Sequence, residues 1–280
     1  MNDKVIILVC SHKADSHIRN YGVYKAIQVG KALKPDLDLG YLRDDVGDNI
    51  SSKNPRWCEL TAIYWGWKNI SDVEYVGLAH YRRYFNLDIT EDNIESIIGN
   101  HDVILGNPLV FDISLQDYFI KWTTPEDYYL LMDTLLYLYP DCKASIEKYI
   151  LNGNKLIPFT MLLCRKELYD DFCSFVFPLF SELEAKLKSH GYSRLNRFIA
   201  FSGELLLGLW ADYKKLDILY SSVVFNDIKI EIPRICKIKN IIKFKLTHLR
   251  KRKFHLVIPE FVSVGYNCDG IQLQCQEFEN

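Results

Sequence analysis

The hydrophobic pattern of the chain alternates between short apolar runs and longer amphipathic stretches. The apolar runs have the length and composition of strands buried in a parallel sheet; they lie at 5–9, 74–79, 102–105, 159–164 and 216–224, and a shorter one ends at 42. The amphipathic stretches have apolar positions at helical spacing; they lie at 54–69, 93–98, 124–139, 166–188 and 198–212. This alternation predicts an α/β fold with a central, mostly parallel sheet flanked by helices.

Two helix starts are marked by specific residues. Asn54 and Thr124 are each followed by proline, which fits the first turn of a helix because the missing N–H would have no partner there. The sequence Thr124-Pro125-Glu126-Asp127 also has the form of a capping box. Both positions are therefore predicted to begin helices.

Composition narrows the class of protein. The chain has 280 residues, 49% of them apolar and 14% aromatic, so we expect a folded domain with a sizeable core. Eight cysteines include no Cys-x-x-Cys pair, which favours reduced, structural thiols over zinc or redox chemistry. The amino terminus lacks the features of a signal peptide, and no stretch has the length and apolar character of a transmembrane helix. We therefore expect a cytoplasmic protein.

Three polar segments come directly after predicted strands in the first third of the chain. They are Ser11-His12-Lys13, the loop from Asp44 to Lys53, and His80-Tyr81-Arg82-Arg83. Ligands of open α/β sheets bind at the carboxyl ends of the strands. The adjacent guanidinium groups of Arg82 and Arg83 suit the bidentate recognition of phosphate. A nucleotide diphosphate is the natural fit, although neither a Gly-x-Gly-x-x-Gly nor a Walker sequence is present.

Each segment also has a structural interpretation. Arg82 and Arg83 are equally consistent with ion pairs to Asp44, Asp45 or Glu59. His12 and Lys13 are also typical of loop residues without a ligand. Residue types alone do not decide between these alternatives.

Several motifs together resemble one family. They are Asp44-Asp45-Val46-Gly47-Asp48-Asn49, then Lys53-Asn54, then the helix 57–69, and then Gly77-Leu78-Ala79-His80-Tyr81-Arg82-Arg83-Tyr84-Phe85. This set resembles the signature of bacterial capsular and exopolysaccharide glycosyltransferases, long grouped as a domain of unknown function, some of which are galactofuranosyl- or galactosyltransferases. The resemblance implies a GT-A-like nucleotide-sugar-binding fold, which we assign to residues 1–230, followed by a basic carboxyl-terminal extension at 231–280.

The resemblance also implies roles for individual residues. Donor binding is expected of Ser11, His12, Lys13, Asp44, Asp45, Asn49, Lys53 and Tyr81. Sugar transfer also needs leaving-group stabilisation, which we expect of Arg82, Arg83 and His80, and a general base. We expect Glu204 to be that base, because its apolar neighbours would raise its pKa if it is buried; the alternative is a surface charge near a helix N-terminus. His80-x-Arg82 stands where such folds usually carry an Asp-x-Asp metal site. We therefore expect no metal and no other cofactor, with a UDP-sugar as co-substrate.

The expected reaction is hexose transfer in capsule, exopolysaccharide or O-antigen synthesis. The preferred donor is UDP-galactofuranose, giving a β-linked product by inversion on a lipid-linked glycan, and UDP-galactopyranose is the alternative. A second alternative is a non-catalytic subunit that binds a nucleotide sugar or glycan, because Leu205 replaces an arginine of the family. We expect no nucleic-acid partner, and the sequence does not distinguish a monomer from a homo-oligomer.

The carboxyl-terminal extension carries a concentrated positive charge. Nine basic and no acidic residues lie at 234–253, and without them the remaining chain has a net charge of −11 instead of −2. Apolar residues at 235, 238, 242, 246 and 249 share one helical face. This pattern predicts a helix lying on an anionic membrane surface, with peripheral association at the inner face of the cell membrane. The alternative is a helix packed on the domain with its basic face in solvent.

Overall fold

The computed structural model describes residues 3–187, 197–225, 228–229, 233–253, 262–267 and 270–277. Its residues divide into two compact units. The first is drawn from Met1–Pro108, Ile157–Phe177 and Ile199–Glu231, and the second from Leu109–Leu156, Pro178–Phe198 and Ile232–Asn280. The chain thus passes between the units several times. The assignment of 1–230 to one domain and 231–280 to an extension stays a prediction.

The strands are short, as expected for an α/β protein. They are β1 (Val5–Ser11), β2 (Tyr24–Gln28), β3 (Leu42–Arg43), β4 (Tyr75–His80), β5 (Arg83–Phe85), β6 (Val103–Gly106), β7 (Leu109–Val110), β8 (Lys155–Leu156), β9 (Leu162–Arg165), β10 (Ile218–Ser221), β11 (Val223–Phe225), β12 (Ile228–Lys229), β13 (Val262–Asn267) and β14 (Gly270–Glu277). The helices are α1 (Asn54–Trp57), α2 (Leu60–Asn69), α3 (Ile94–Ile98), α4 (Leu115–Trp122), α5 (Pro125–Leu138), α6 (Lys143–Ser145), α7 (Lys166–Lys186), α8 (Phe198–Tyr213) and α9 (Arg234–Lys253).

The first unit is built on one sheet with the strand order β10-β6-β9-β4-β1-β2-β3. Pairing is parallel between β1 and β2, β1 and β4, β2 and β3, and β6 and β10. Strand β9 runs antiparallel between β4 and β6. Six strands therefore point the same way, which confirms the predicted α/β class with a mostly parallel sheet.

Strand β5 leaves this order through a tight hairpin. Residues His80 and Arg83 pair across the two-residue turn that joins β4 to β5, and β5 then pairs with β11. The hairpin holds Tyr81 and Arg82 at its tip, at the carboxyl end of β4.

Several details of the first unit differ from the sequence-based prediction, among them the start of β9 at Leu162 instead of residue 159. Strand β2 was not predicted, because Tyr24–Gln28 contains lysine and glutamine within only five residues. The single helix predicted from Asn54 is two helices, α1 and α2. The break lies at Cys58, whose φ of 47° is outside the helical region. It places Glu59 at the start of α2.

The second unit is mainly helical. The predicted cap of α5 is confirmed, since the Thr124 hydroxyl accepts a hydrogen bond from the Asp127 N–H at 3.1 Å. Helix α4 was not predicted, although Ser114 caps it in the same way. The segment predicted to be a basic helix forms α9.

The centre of the sheet depends on a glycine. Strands β1 and β4 contribute fully buried aliphatic residues, and Gly77 of β4 faces the backbone of β9 so closely that a Cβ would lie 2.8 Å from the Leu162 carbonyl oxygen. A side chain there requires backbone movement, because the obstructing atom is not the end of a flexible side chain. Gly77 therefore sets the approach of β9 to β4.

We expect Gly77→Ala to lower the free energy of unfolding by about 1–3 kcal/mol through overpacking. Gly106→Ala is the matched control, because its Cβ would meet the nearest atom, Val223 Cγ2, at an ordinary 3.4 Å. In this control variant the free energy of unfolding is expected to stay the same or to rise slightly. Urea denaturation checks both, and equal stabilities for the two variants would contradict this account of the sheet.

Candidate active site

The parallel strands bring the predicted polar segments to one edge of the sheet. Strands β1, β2, β3 and β4 are mutually parallel, so the loops that follow them leave from the same side. Ser11 ends β1, and its hydroxyl donates to the Lys13 carbonyl at 2.6 Å, which makes the chain turn there. The Ser11 carbonyl also accepts from the Val29 N–H after β2 at 2.9 Å.

Cationic side chains surround the Tyr81 ring at this edge. The Lys13 Nζ lies 5.6 Å and the Arg82 guanidinium 4.4 Å from the ring centre. The His12 ring meets it edge-on with the centres 5.7 Å apart. Arg82 also donates a hydrogen bond to the Tyr81 hydroxyl. Four of the predicted site residues therefore lie together and present positive charge at the tip of the hairpin.

Arg82 and Arg83 rest on aromatic rings and do not pair with acids. The Arg83 guanidinium lies 4.4 Å from the centre of the Phe159 ring, and both guanidinium groups lie within 5.8 Å of Phe225. Neither forms an ion pair with any carboxylate of the described residues. The alternative of ion pairs to Asp44, Asp45 or Glu59 is thus not observed, and both charges remain available for an anion.

The acidic loop after β3 is held by its own side chains. Asp44 is fully buried, and its carboxylate accepts from the N–H groups of Gly30 and Lys31 and from the Ser51 hydroxyl, at 2.8, 3.1 and 2.5 Å. In this geometry Asp44 joins the loops after β2 and β3. Its expected contact with a donor stays a prediction.

The other predicted donor-binding residues of this loop also have protein partners. Asp45 forms a bidentate pair with Arg43, with both N–O distances 2.9 Å. The Asn49 amide donates to the carbonyls of Asp45 and Gly47. Lys53 places its Nζ 4.9 Å from the centre of the Trp57 ring. These contacts fix the conformation of the loop, so the loop is already ordered before any nucleotide-sugar donor binds.

His80 occupies a partly buried position at the end of β4. Its Nε2 lies 2.6 Å from the Phe159 carbonyl oxygen, and its Nδ1 lies 3.5 Å from the Cys10 sulfur. Burial lowers the pKa of His80 below its usual value, although the Glu59 carboxylate opposes that shift. Burial thus favours the neutral form of His80, which positions Phe159 by donating from Nε2 to its carbonyl.

Glu204 is brought to the same place by α8. Its pKa is raised to about 7, chiefly by burial and then by the nearby Glu59 carboxylate, whereas the Phe159 backbone and the charge of Arg83 act to lower it. The side chain stays partly exposed among buried neighbours. A carboxyl group with a pKa near 7 is suited to proton transfer at neutral pH.

Two residues of this site were not predicted to belong to it. The Thr160 hydroxyl donates to Glu59 Oε1 at 3.2 Å. Gly203 allows α8 to approach both α2 and the segment that contains Thr160. A Cβ at this position would lie 3.2 Å from Leu60 Cδ2 and 3.6 Å from Thr160 Oγ1. The one signal in the sequence was Glu59 itself, an acidic residue in a largely apolar helix.

Backbone strain is concentrated around these residues. Cys58, Phe159 and Thr160 have φ values of 47°, 70° and 51°, a region that non-glycine residues rarely adopt. Such conformations persist only where surrounding contacts hold them, and they are concentrated at functional sites. The strain therefore marks the Glu59, Thr160 and Glu204 cluster as a candidate active site.

Metal ligands are not grouped at this site. Within the part of the chain that the structure describes, no three or more His, Cys, Asp or Glu side chains come together in a way that would hold a metal ion. The metal-free reaction stays a prediction.

Comparisons with known proteins agree with this architecture. The model of a family described as a domain of unknown function, DUF4422, matches residues 6–215. No curated protein sequence gives a significant match. Among solved structures, the chain is similar to the apo structure of the WbbM bifunctional glycosyltransferase, with a TM-score of 0.71 and 25% identity over 81% of this chain.

The match to WbbM covers 46% of that protein, so the chain spans about half its length. The chain therefore shares its fold with part of a glycosyltransferase structure. The resemblance to a glycosyltransferase family once of unknown function is confirmed, as is the expected fold class.

The Glu204 carboxyl predicts a pH-dependent stability. Between its unfolded value near 4.5 and its folded value of about 7, the folded protein holds a proton that the unfolded chain releases, so stability falls as pH rises through this window. Glu204→Gln is expected to be more stable than the parent at pH 8 by about 1–3 kcal/mol, with no difference near pH 4.

Urea denaturation at several pH values measures this effect. Glu182→Gln, at an exposed position of α7, is the control for removing any one carboxylate. If the free energy of unfolding depends on pH in the same way in the parent and in Glu204→Gln, the pKa of Glu204 is not raised in the folded protein.

Proposed function

The chain belongs to the DUF4422 family, and from this premise we propose that it is a glycosyltransferase that uses a nucleotide-sugar donor. One observation carries the proposal. Two guanidinium groups that form no ion pair with a carboxylate of the described residues lie at the carboxyl edge of the sheet, and the charge of Arg83 acts on the Glu204 carboxyl, whose pKa is about 7. Leaving-group stabilisation and a general base are the two requirements of sugar transfer with inversion.

Arg82 and Arg83 would stabilise the departing nucleoside diphosphate. As the bond from the anomeric carbon to the diphosphate oxygen breaks, its electron pair moves to that oxygen. Guanidinium groups already fixed on aromatic rings meet the new charge without reorganisation. In this proposal the two guanidinium groups neutralise the charge that a divalent cation neutralises in enzymes with an Asp-x-Asp metal site, so transfer needs no metal.

Glu204 would be the base. The acceptor hydroxyl oxygen forms the new bond to the anomeric carbon, and its proton passes to the Glu204 carboxylate. Glu59, held by Thr160, acts on Glu204 through its charge and is a positioning residue. His80 holds the Phe159 carbonyl, and the Phe159 backbone acts on the pKa of Glu204.

The preferred donor is UDP-galactofuranose, with a β-linked product, and UDP-galactopyranose is the second choice. The acceptor would be a lipid-linked glycan of capsule, exopolysaccharide or O-antigen synthesis, met at the inner face of the cell membrane. The family resemblance supports these choices. The uridine and ribose would lie against Ser11, Lys13 and the loop that Asp44 supports.

A second candidate is a non-catalytic subunit that binds a nucleotide sugar. It is favoured by Leu205, which replaces an arginine expected from the resemblance and is 1% exposed. A buried leucine cannot restore the lost charge. Tight UDP binding without transfer or hydrolysis, across several donors and acceptors, would support this candidate over the enzyme.

The arginine mechanism predicts metal-independent transfer. With UDP-galactofuranose and a lipid-linked acceptor mimic, product formation should be unchanged by EDTA. Arg82→Gln and Arg83→Gln should each lower kcat about 100-fold or more, the usual loss when one preorganised donor is removed. Mass spectrometry and NMR of the product identify the linkage.

The matched control is Arg165→Gln. Arg165 also lies on an aromatic ring, that of Tyr75, but at the opposite end of β4, where it pairs with Glu74. This variant should keep full activity. The arginine mechanism would be contradicted if EDTA abolished activity and Mn²⁺ restored it. Full activity of Arg82→Gln would contradict it as well.

The base assignment predicts the pH profile of kcat. Because the carboxylate form of Glu204 accepts the proton, kcat should fall about tenfold per pH unit below pH 7 and level off above it. Glu204→Gln should lose this dependence together with most of the activity. Glu59→Gln should retain activity and move the inflection to lower pH, because the repelling carboxylate is gone. An unchanged inflection in Glu59→Gln would argue against its positioning role.

A further inference from the structure

Helix α9 presents an apolar stripe to solvent. Ile235, Ile238, Ile242, Leu246 and Leu249 are 63, 54, 52, 58 and 61% exposed. At about 100° per residue these five side chains fall within an arc of roughly 80°. Exposed aliphatic residues are usually scattered singly over a protein surface. A continuous row on one face therefore indicates an interaction site.

The opposite face of α9 is attached to its own unit. The Asn240 amide donates to the Val110 carbonyl of β7 at 2.8 Å, and Lys243 forms an ion pair with Asp112. Ile241 and Phe244, on this side, are less exposed than the stripe. The helix therefore packs on its own unit, as in the alternative prediction, but through a face other than the apolar stripe. The contacts hold the helix with its apolar stripe outward.

Charge around the stripe limits the choice of partner. The α9 segment has nine basic residues and no acidic one, and Lys239 and Lys245 flank the stripe on either side at exposed positions. We propose that this face of α9 binds an anionic lipid bilayer surface. The aliphatic side chains would enter the acyl boundary while the flanking lysines reach the headgroups.

Other partners fit the same face less well. A second copy of the chain would bring two sets of like charges together across the stripe. A nucleic acid would use the charges but leave the aliphatic row in water. Among the described helices none has both the length and the apolar character needed to cross a bilayer. A helix of 20 residues lying along the surface, about 30 Å long, matches the stripe. The proposal does not depend on the transfer reaction.

Co-sedimentation of the full chain with vesicles tests the proposal. Vesicles of phosphatidylcholine alone are compared with vesicles containing about a third phosphatidylglycerol. The parent should bind the anionic vesicles at least tenfold more tightly, and added salt should weaken binding. The triple variant Ile238→Gln, Ile242→Gln, Leu246→Gln keeps charge and helix propensity but removes the stripe, and it should lose at least tenfold in partitioning.

The control variant changes three equally exposed apolar residues elsewhere. Leu33, Trp122 and Tyr137 are 50, 58 and 75% exposed, and replacing them with glutamine should leave vesicle binding unchanged. A second variant, Lys239→Gln with Lys245→Gln, should weaken binding to anionic vesicles only.

Each other outcome overturns the proposal. Equal binding to both kinds of vesicle would remove the charge argument, and no binding would exclude the membrane. Retained binding in the stripe variant, with tight binding of an oligonucleotide at physiological salt, would indicate a polyanion site. A parent that dimerises while the stripe variant does not, without vesicle binding, would indicate a second copy of the chain.

Discussion

The candidate site depends on the backbone of one residue, Phe159. Its carbonyl accepts from His80, its backbone lowers the pKa of Glu204, and its ring carries the guanidinium of Arg83. These partners come from β4, α8 and the hairpin after β4. Because one peptide segment serves all of them, a shift of Phe159 would move the proposed base and a proposed leaving-group cation together.

The conformation of the chain around Phe159 lowers the stability of the folded protein. Phe159 and Thr160 both have positive φ, and Glu204 holds a proton near neutrality because burial and the Glu59 charge disfavour its ionised form. Strain of this kind costs about 1–3 kcal/mol per residue. The apolar residues that β1 and β4 bury in the adjoining sheet stabilise the fold against this cost.

The sequence predicted those features that depend on local pattern. Buried strands such as β1, the Thr124 cap and the gathering of His12, Lys13 and Arg82 at one edge follow from hydrophobic runs, turn chemistry and parallel pairing. It did not reveal β2 or the break at Cys58, because neither has a distinct residue signal. The buried hydrogen bonds of Asp44 and the pairing of Glu59 with Thr160 arise only when distant segments pack, so no spacing along the chain reports them.

Helix α9 illustrates the same limit. The row of aliphatic residues from Ile235 to Leu249 predicts an amphipathic helix equally well whether that row faces a core or solvent. Only tertiary contacts decide, and Asn240 and Lys243 turn the opposite face inward. The outward apolar row then lies within the most basic part of a chain whose remainder carries a net charge of −11. An anionic surface would attract this helix and repel the rest of the chain, so charge alone would favour α9 as the point of contact.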